Sequence, residues 1–339
     1  MRKQTIIDLL AAGRVANLPS VVSNVLLGCG LGMFLRNFGQ DPVFLFPCLA
    51  GCFLYVGGCF YNDWADRKWD AENRPERAIP SQRLKPLAML LASLALMCLG
   101  VVCAFVVGTE ALFVAGWIVA SILVYTWIHK KTAWGVLPMG LCRALLYPLG
   151  FVSQKWDPNL WSNHFQILGL RQGAEGKEEL APKGMSYDSE VWFQTQTVSI
   201  FAIGLLLYVA GLSLFARAES KPVVPQLNRV LGILFMSLVV IGHSHFLIFE
   251  FPAWSALSLV PFLVLLIAGI LAMKKSVGKG VSLLLANICL VDFIFALPLA
   301  IGFMQWDFAL TTSQALVFPL VSFGGFLLAL LLQKIAPAT

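Results

Sequence analysis

Charge is what this sequence has little of. Its 339 residues include only 24 Lys and Arg and 18 Asp and Glu, 12% in all, against 58% hydrophobic residues and a mean hydropathy of +0.79. Soluble domains give about a quarter of their residues to charge, so a water-soluble fold cannot hide this much apolar surface. The composition equally excludes disorder, collagen, coiled coil and a disulfide scaffold. Cysteines are not arranged as a framework: Cys29, Cys48, Cys52, Cys59, Cys98, Cys103, Cys142 and Cys289 all fall inside apolar runs and read as buried thiols. Cys48 and Cys52, four apart, have no neighbouring His or Cys with which to hold a soft metal. The net charge of +6 comes without a polybasic arm, so nucleic acid is not an expected partner. The N-terminal stretch lacks a small-residue cleavage site and is interrupted by Asp8 and Arg14, so it is expected to remain in the mature protein.

Long apolar runs are what is there. They fall near residues 18–35, 43–61, 87–107, 111–128, 133–152, 195–215, 230–249, 255–273, 281–304 and 308–333. Each matches the roughly 20 residues of a transmembrane helix, and none alternates as a barrel strand would. The expected fold is therefore all-α, a single polytopic bundle of about nine to ten spans embedded in the lipid bilayer. Basic residues set its orientation. With the N-terminus cytoplasmic, eighteen of the 24 lie inside, and Arg36 stands alone in the short external loops. In a bacterium this would be the cytoplasmic membrane. Residues 153–194 are polar and rich in Gly and Pro, and are expected to form an external insertion between spans five and six, with Trp156, Trp161 and Trp192 as interfacial belt residues. Gly28, Gly30 and Gly32, and the Gly57–Gly58 pair, are expected to let helices pack closely.

Chemistry concentrates after the second run, in YNDWADRKWDAENRPERAIP. At about 100° per residue, Asn62, Asp63, Asp66 and Asp70 share an arc of about 100° on one helix face. Three carboxylates gathered at the end of an apolar helix repel one another unless cations sit between them, and hard oxygen ligands suit Mg²⁺ bridging to a phosphate. Arg74 and Arg77 follow and can offer planar donors to the same oxyanion. The plain alternative is a solvated cytoplasmic loop whose charges only fix topology, but that leaves the shared face of three acids unexplained. A charge inside a span is expensive, so Arg143 and Asp292 are both expected to face the bundle interior, with a pairing between them open. Asn17, Ser20 and Asn24 also share a face, toward either a ligand or a neighbouring helix. His243 and His245, two apart, lie on different faces and read as packed, hydrogen-bonded histidines.

At these residues the sequence resembles the UbiA superfamily of intramembrane prenyltransferases, whose first signature is Asn-Asp-x-x-Asp-x-x-x-Asp after the second helix followed by an Arg-Pro turn. Here that is Asn62, Asp63, Asp66, Asp70, then Arg74, Pro75, Arg77 and Pro80. Similarity continues through RVANLPSVVSNVLLG and YTWIHKKTAWGVLPMGLCRALLYPLG. The resemblance implies a helical bundle around a lipid-accessible cavity, in which Mg²⁺ held by Asp63, Asp66 and Asp70 positions a polyprenyl diphosphate. It implies transfer of the prenyl group to a lipid-soluble, often aromatic, acceptor. Asp63, Asp66, Asp70 and Arg143 take the catalytic roles. Asn17, Asn24, Asn62, Arg74, Arg77, Tyr125, Lys130, Lys131 and Glu219 take the substrate-binding ones. The family's second acidic cluster is thin here: in ARAESKPVVPQLNR Glu219 is the only carboxylate. That keeps a second reading alongside the first, a protein that binds or transports an isoprenoid lipid without catalysis. A CDP-alcohol phosphotransferase is disfavoured by the lack of an Asp-Gly-x-x-Ala-Arg run.

Overall fold

The computed structural model describes residues 3–35, 43–154, 187–216, 225–244, 250–305 and 312–336. In chain order its helices are α1 (Lys3–Ala12), α2 (Leu18–Leu35), α3 (Leu45–Asn73), α4 (Pro86–Val107), α5 (Thr109–Ile128), α6 (Val136–Ala144), α7 (Leu146–Val152), α8 (Tyr187–Ala216), α9 (Gln226–Ser244), α10 (Pro252–Ala272), α11 (Val277–Ala286), α12 (Ile288–Gln305) and α13 (Thr312–Gln333). The described residues contain no strand. Nine of their helical segments are long and apolar enough to cross a bilayer, with α11 and α12 together forming one of them. The chain is a multi-pass, all-helical membrane protein.

Two departures from the sequence reading have physical causes or limits. The run 133–152 is not one continuous span: it is two short helices, α6 and α7, that change at Leu145. Pro148 lacks the N–H that would bond the carbonyl of Ala144, and its ring crowds that carbonyl, which places the break one turn before the proline. Within the stretch expected as an insertion, 153–194, helix is already present near both ends, while the spanning segment of the following helix begins at Trp192. Ser153 caps α7 by donating its hydroxyl to Leu149 O (2.6 Å), and α8 already begins at Tyr187. Residues 155–186 between them, with Trp156 and Trp161, lie outside the described residues, as do Glu219 and His245.

α2 is the axis of the bundle. In its spanning segment 89% of the apolar window is buried inside the protein, against 22% for α4. One apolar cluster packs Val21, Val25 and Cys29 of α2 with Leu54 of α3, Ile118 and Ile122 of α5, and Leu149 of α7. A larger one packs Leu27 and Leu31 of α2 with Phe201 of α8, Met236 of α9, Phe262 of α10 and Phe295 of α12. The outward faces of α4, α5 and α10 stay apolar and exposed, for example at Phe105, Phe113 and Val264, as a lipid-facing surface requires. The α2–α7 crossing is set by glycine: a Cβ on Gly28 would run into the carbonyl of Tyr147, and one on Gly150 into the carbonyl of Val25. The small residues let the two backbones touch, as read from the sequence.

α3 positions the acids. At 29 residues it is about 43 Å long, while the hydrocarbon core is about 30 Å, so its C-terminal turns reach past the apolar layer. The segment 74–85 then folds back beneath them instead of trailing into solvent. Ile79 and Leu84 are buried with Ala12, Phe60 and Met89 in a small satellite cluster. Arg83 Nε donates to Asp8 Oδ2 at 2.9 Å, tying the segment to α1.

Candidate functional site

The four residues of the α3 face do converge on one enclosed region. Asn62, Asp66 and Asp70 are buried, at 5%, 8% and 2% exposure, so the reading of this stretch as a solvated loop fails. Asp63 is half-buried beside them and, with Asp70, Arg77, Ala12, Ile79 and Leu84, lines a small recess between α1, α3 and the folded-back segment.

Basic side chains from three other parts of the chain meet these acids. Arg77, from the turn after α3, places Nη1 2.9 Å from Asp70 Oδ2 and 3.6 Å from Asp63 Oδ1. Arg14, between α1 and α2, brings Nη2 to 4.0 Å from Asp63 Oδ1. Beyond α5, Lys130 Nζ sits 2.9 Å from Asp66 Oδ1 and His129 Nε2 3.2 Å from Asp66 Oδ2. Asn62 Nδ2 donates to the same Asp66 oxygen at 3.4 Å. Lys130 is also held over the ring of Trp69, 3.9 Å from its centroid, and the His129 ring stacks on Tyr125 at 4.7 Å.

Two buried oxygens at this face have no hydrogen-bond partner: Asn62 Oδ1 and Asp70 Oδ1. Leaving such groups unsatisfied costs about 1–3 kcal/mol each, so native sites rarely do so without a ligand in view. Both are hard oxygen donors, and with Asp63 and Asp66 they match in type what Mg²⁺ takes. Among the described residues, however, no three acidic, His or Cys side chains close into a ready-made metal cage. Each carboxylate is instead partnered by protein cations.

Arg74 and Lys131 do not join the acids. Arg74 caps α3 with its backbone N–H on Asp70 O (2.7 Å), and its side chain forms no ion pair among the described residues. Lys131 points the other way, its ammonium 4.8 Å from the Trp127 ring centroid. Arg143, Asn17 and Asn24 form a second polar layer deeper in the bundle. Arg143 is 6% exposed; its Nη1 donates to Ser20 Oγ at 3.0 Å and Asn24 Oδ1 at 3.4 Å. Its guanidinium lies 4.6 Å over the ring of Tyr55, whose hydroxyl accepts from Asn17 Nδ2 at 3.0 Å. Tyr55 precedes Asp63 by eight residues, so this layer lies roughly 12 Å further along α3 from the acids. Among the described residues Asp292 forms no ion pair with Arg143 and is linked to it through Asn24, whose Nδ2 donates to both carboxylate oxygens at 3.0 and 2.9 Å.

Sequence reasoning assigned no role to Arg14 or His129. His129 carried a usable signal, since it adjoins Lys130 and follows Tyr125 by one helical turn. Arg14 carried none beyond being a charge near an apolar run; it adopts the left-handed conformation (φ 46°, ψ 46°), which swings the chain from α1 into α2.

Part of the chain is similar to known proteins. Residues 25–170 match the UbiA prenyltransferase family model. A digeranylgeranylglyceryl phosphate synthase of Methanothrix thermoacetophila is 35% identical over 107 residues, 32% of this chain and 39% of that protein. The protein of the same name from Methanopyrus kandleri is 29% identical over 210 residues, 61% of this chain and 75% of the relative. The match thus spans about two fifths of the first relative's length and three quarters of the second's. A solved structure of a digeranylgeranylglyceryl phosphate synthase in membranes superimposes with a TM-score of 0.47 at 19% identity, over 98% of this chain and 99% of that one. The matched region contains the whole α3 acid face, its Arg-Pro turn, Lys130 and Arg143, so the similarity to the UbiA prenyltransferase family covers the residues of the site.

Proposed function

We propose that this protein transfers a prenyl group from a polyprenyl diphosphate to a lipid-soluble acceptor within the membrane, with Mg²⁺ as cofactor. The observation that carries the reading is the buried face of Asn62, Asp66 and Asp70, ringed by Arg14, Arg77, His129 and Lys130 and presenting two oxygens without partners. A site built only for stability would satisfy those atoms.

The residues of this chain divide the work. Asp63, Asp66 and Asp70, with Asn62 as neutral partner, would hold the metal; bound there, Mg²⁺ supplies charge that stabilises the departing diphosphate. Arg77, Arg14 and Lys130 are already within reach of the carboxylates, and exchange those partners for phosphate oxygens when the substrate's charge arrives, binding and orienting it. Asn62 and Tyr125 line the approach. The apolar helices beneath keep water away while positive charge develops on the prenyl carbon; the acceptor attacks that carbon and gives up a proton. Arg143 and Asn24 form the polar layer below and face the deeper parts of the substrates. Glu219 would assist from outside the described residues. The acid face lies on the cytoplasmic side by the basic-residue asymmetry. Both curated relatives are named for a lipid phosphate product, so acceptor trials belong with glycerol-phosphate lipids as well as aromatic compounds.

Removing the metal tests the cofactor. With EDTA the purified protein should lose turnover of radiolabelled farnesyl or geranylgeranyl diphosphate, and added Mg²⁺ should restore it. Undiminished turnover in EDTA would refute the metal's role. Arg77→Ala removes a side chain that bridges two of the acids. Its KM for prenyl diphosphate should rise about tenfold with a smaller effect on kcat, the loss of one charge-assisted phosphate contact.

A further inference from the structure

Below the acids, five buried polar side chains from five helices form one continuous chain: Arg143 of α6, Asn24 of α2, Asp292 of α12, Tyr147 of α7 and His243 of α9. Asn24, Asp292, Tyr147 and His243 are each 0% exposed. Tyr147 Oη donates to Asp292 Oδ1 at 2.6 Å and lies 3.0 Å from His243 Nε2. His243 Nδ1 lies 3.2 Å from the carbonyl of Val239.

The proton count along this chain turns on the tautomer of His243. A neutral His243 with its hydrogen on Nε2 would donate to Tyr147, which donates to an ionised Asp292, and needs no extra proton; with Nδ1 donating to the Val239 carbonyl, which only accepts, the count changes. The phenol has a single proton and two acceptor-type neighbours. If it goes to Asp292, the contact with Nε2 is a hydrogen bond only when Nε2 is protonated too, and His243 is an imidazolium. If it goes to Nε2, the 2.6 Å contact is a hydrogen bond only when Asp292 carries a proton of its own. With Nδ1 as donor, either arrangement leaves the trio one proton more than an ionised Asp and a neutral His would hold. It is then electrically neutral, as a site deep in a bilayer needs to be.

The carboxyl end of the trio also sets Asn24. Its amide accepts or donates according to which way it is turned. Both oxygens of Asp292 call for the NH₂ group, which turns Oδ1 toward Arg143 Nη1. We infer that Asp292, Tyr147 and His243 form a proton-sharing trio and that Asp292 is a positioning residue: through Asn24 it orients the Arg143 guanidinium in the polar layer beneath the diphosphate site. The orienting role rests on the function proposed above; the proton count does not.

Two measurements test it on the full-length protein in detergent or nanodiscs. In the first, ¹⁵N-histidine labelling, with His243→Asn to assign the signal, is combined with infrared difference spectra of wild type against Asp292→Asn. An imidazolium at His243, or the C=O stretch of a protonated carboxyl that vanishes in Asp292→Asn, is expected at neutral pH. A neutral His243 together with an ionised Asp292 overturns the trio. In the second, Asp292→Asn should raise the KM for farnesyl diphosphate about tenfold while changing kcat less, because a 1.4 kcal/mol contact is lost. The same change on an Arg143→Lys background should add nothing. Wild-type KM in a folded Asp292→Asn, or fully additive losses with Arg143→Lys, overturns the positioning role. A wild type that shows the extra proton but turns over no prenyl diphosphate refutes the proposed function and leaves the trio standing.

Discussion

Asp66→Asn should reduce kcat/KM for prenyl diphosphate by about a thousandfold, the scale expected when a preorganised electrostatic contact to developing charge is lost. The substitution changes almost no volume, so its effect is electrostatic. Asp66 is contacted at both oxygens: Lys130 at one, His129 and Asn62 at the other. An amide there brings less negative charge to a divalent ion and weakens metal affinity. It also turns the Lys130 contact from an ion pair into a hydrogen bond to a neutral amide. Folding is checked separately by size exclusion and circular dichroism. A folded Asp66→Asn that turns over at the wild-type rate would remove the acid face from the mechanism. Lys131→Ala, whose ammonium lies against Trp127, is the matching control and should be near neutral.

Gly150→Leu should abolish the accumulation of folded, monodisperse protein. A Cβ at this position would overlap the carbonyl of Val25 and crowd the N–H of Cys29, both backbone atoms of α2 that no rotamer change can move. Gly28 makes the reciprocal approach to Tyr147, so the crossing has no slack on either side. Prising α2 from α7 would separate Tyr147 from Asp292 and Arg143 from Ser20, uncoupling buried polar groups in addition to opening the core. Gly116→Leu is the control: a Cβ there meets open space on the outer face of α5, and the protein should fold as before. Equal yields of the two variants would contradict the packing described for the axis of the bundle.

The acid face was legible because a helix repeats every 3.6 residues, so Asn62, Asp63, Asp66 and Asp70 announce their shared side without any tertiary information. Arg77 was legible by proximity, being seven residues from the acid it pairs with. The partners that come from far along the chain were not. Arg14 reaches Asp63 across 49 residues and His129 reaches Asp66 across 63, and no local pattern encodes either meeting. Lys130 and Lys131 show the limit of reading charge by the pair, since adjacent residues at a helix end diverge and only one of them turns inward. The depth of Arg143 was implied by the expense of a charge inside a span, but its partners Ser20 and Asn24 follow from the α2–α7 crossing. The break at Leu145 had a signal in Pro148 that the length of the apolar run concealed.

The account stands on a metal ion held between this acid face and the substrate's diphosphate. Mn²⁺ in place of Mg²⁺ makes that junction visible: electron paramagnetic resonance of the purified protein with farnesyl diphosphate reports both metal occupancy and its distance to phosphorus. Stoichiometric Mn²⁺ with a resolved ³¹P hyperfine coupling is expected in the wild type, and both signals should fade in Asp66→Asn and Asp70→Asn. Mn²⁺ bound without phosphorus coupling, or bound equally well by the two variants, would contradict it.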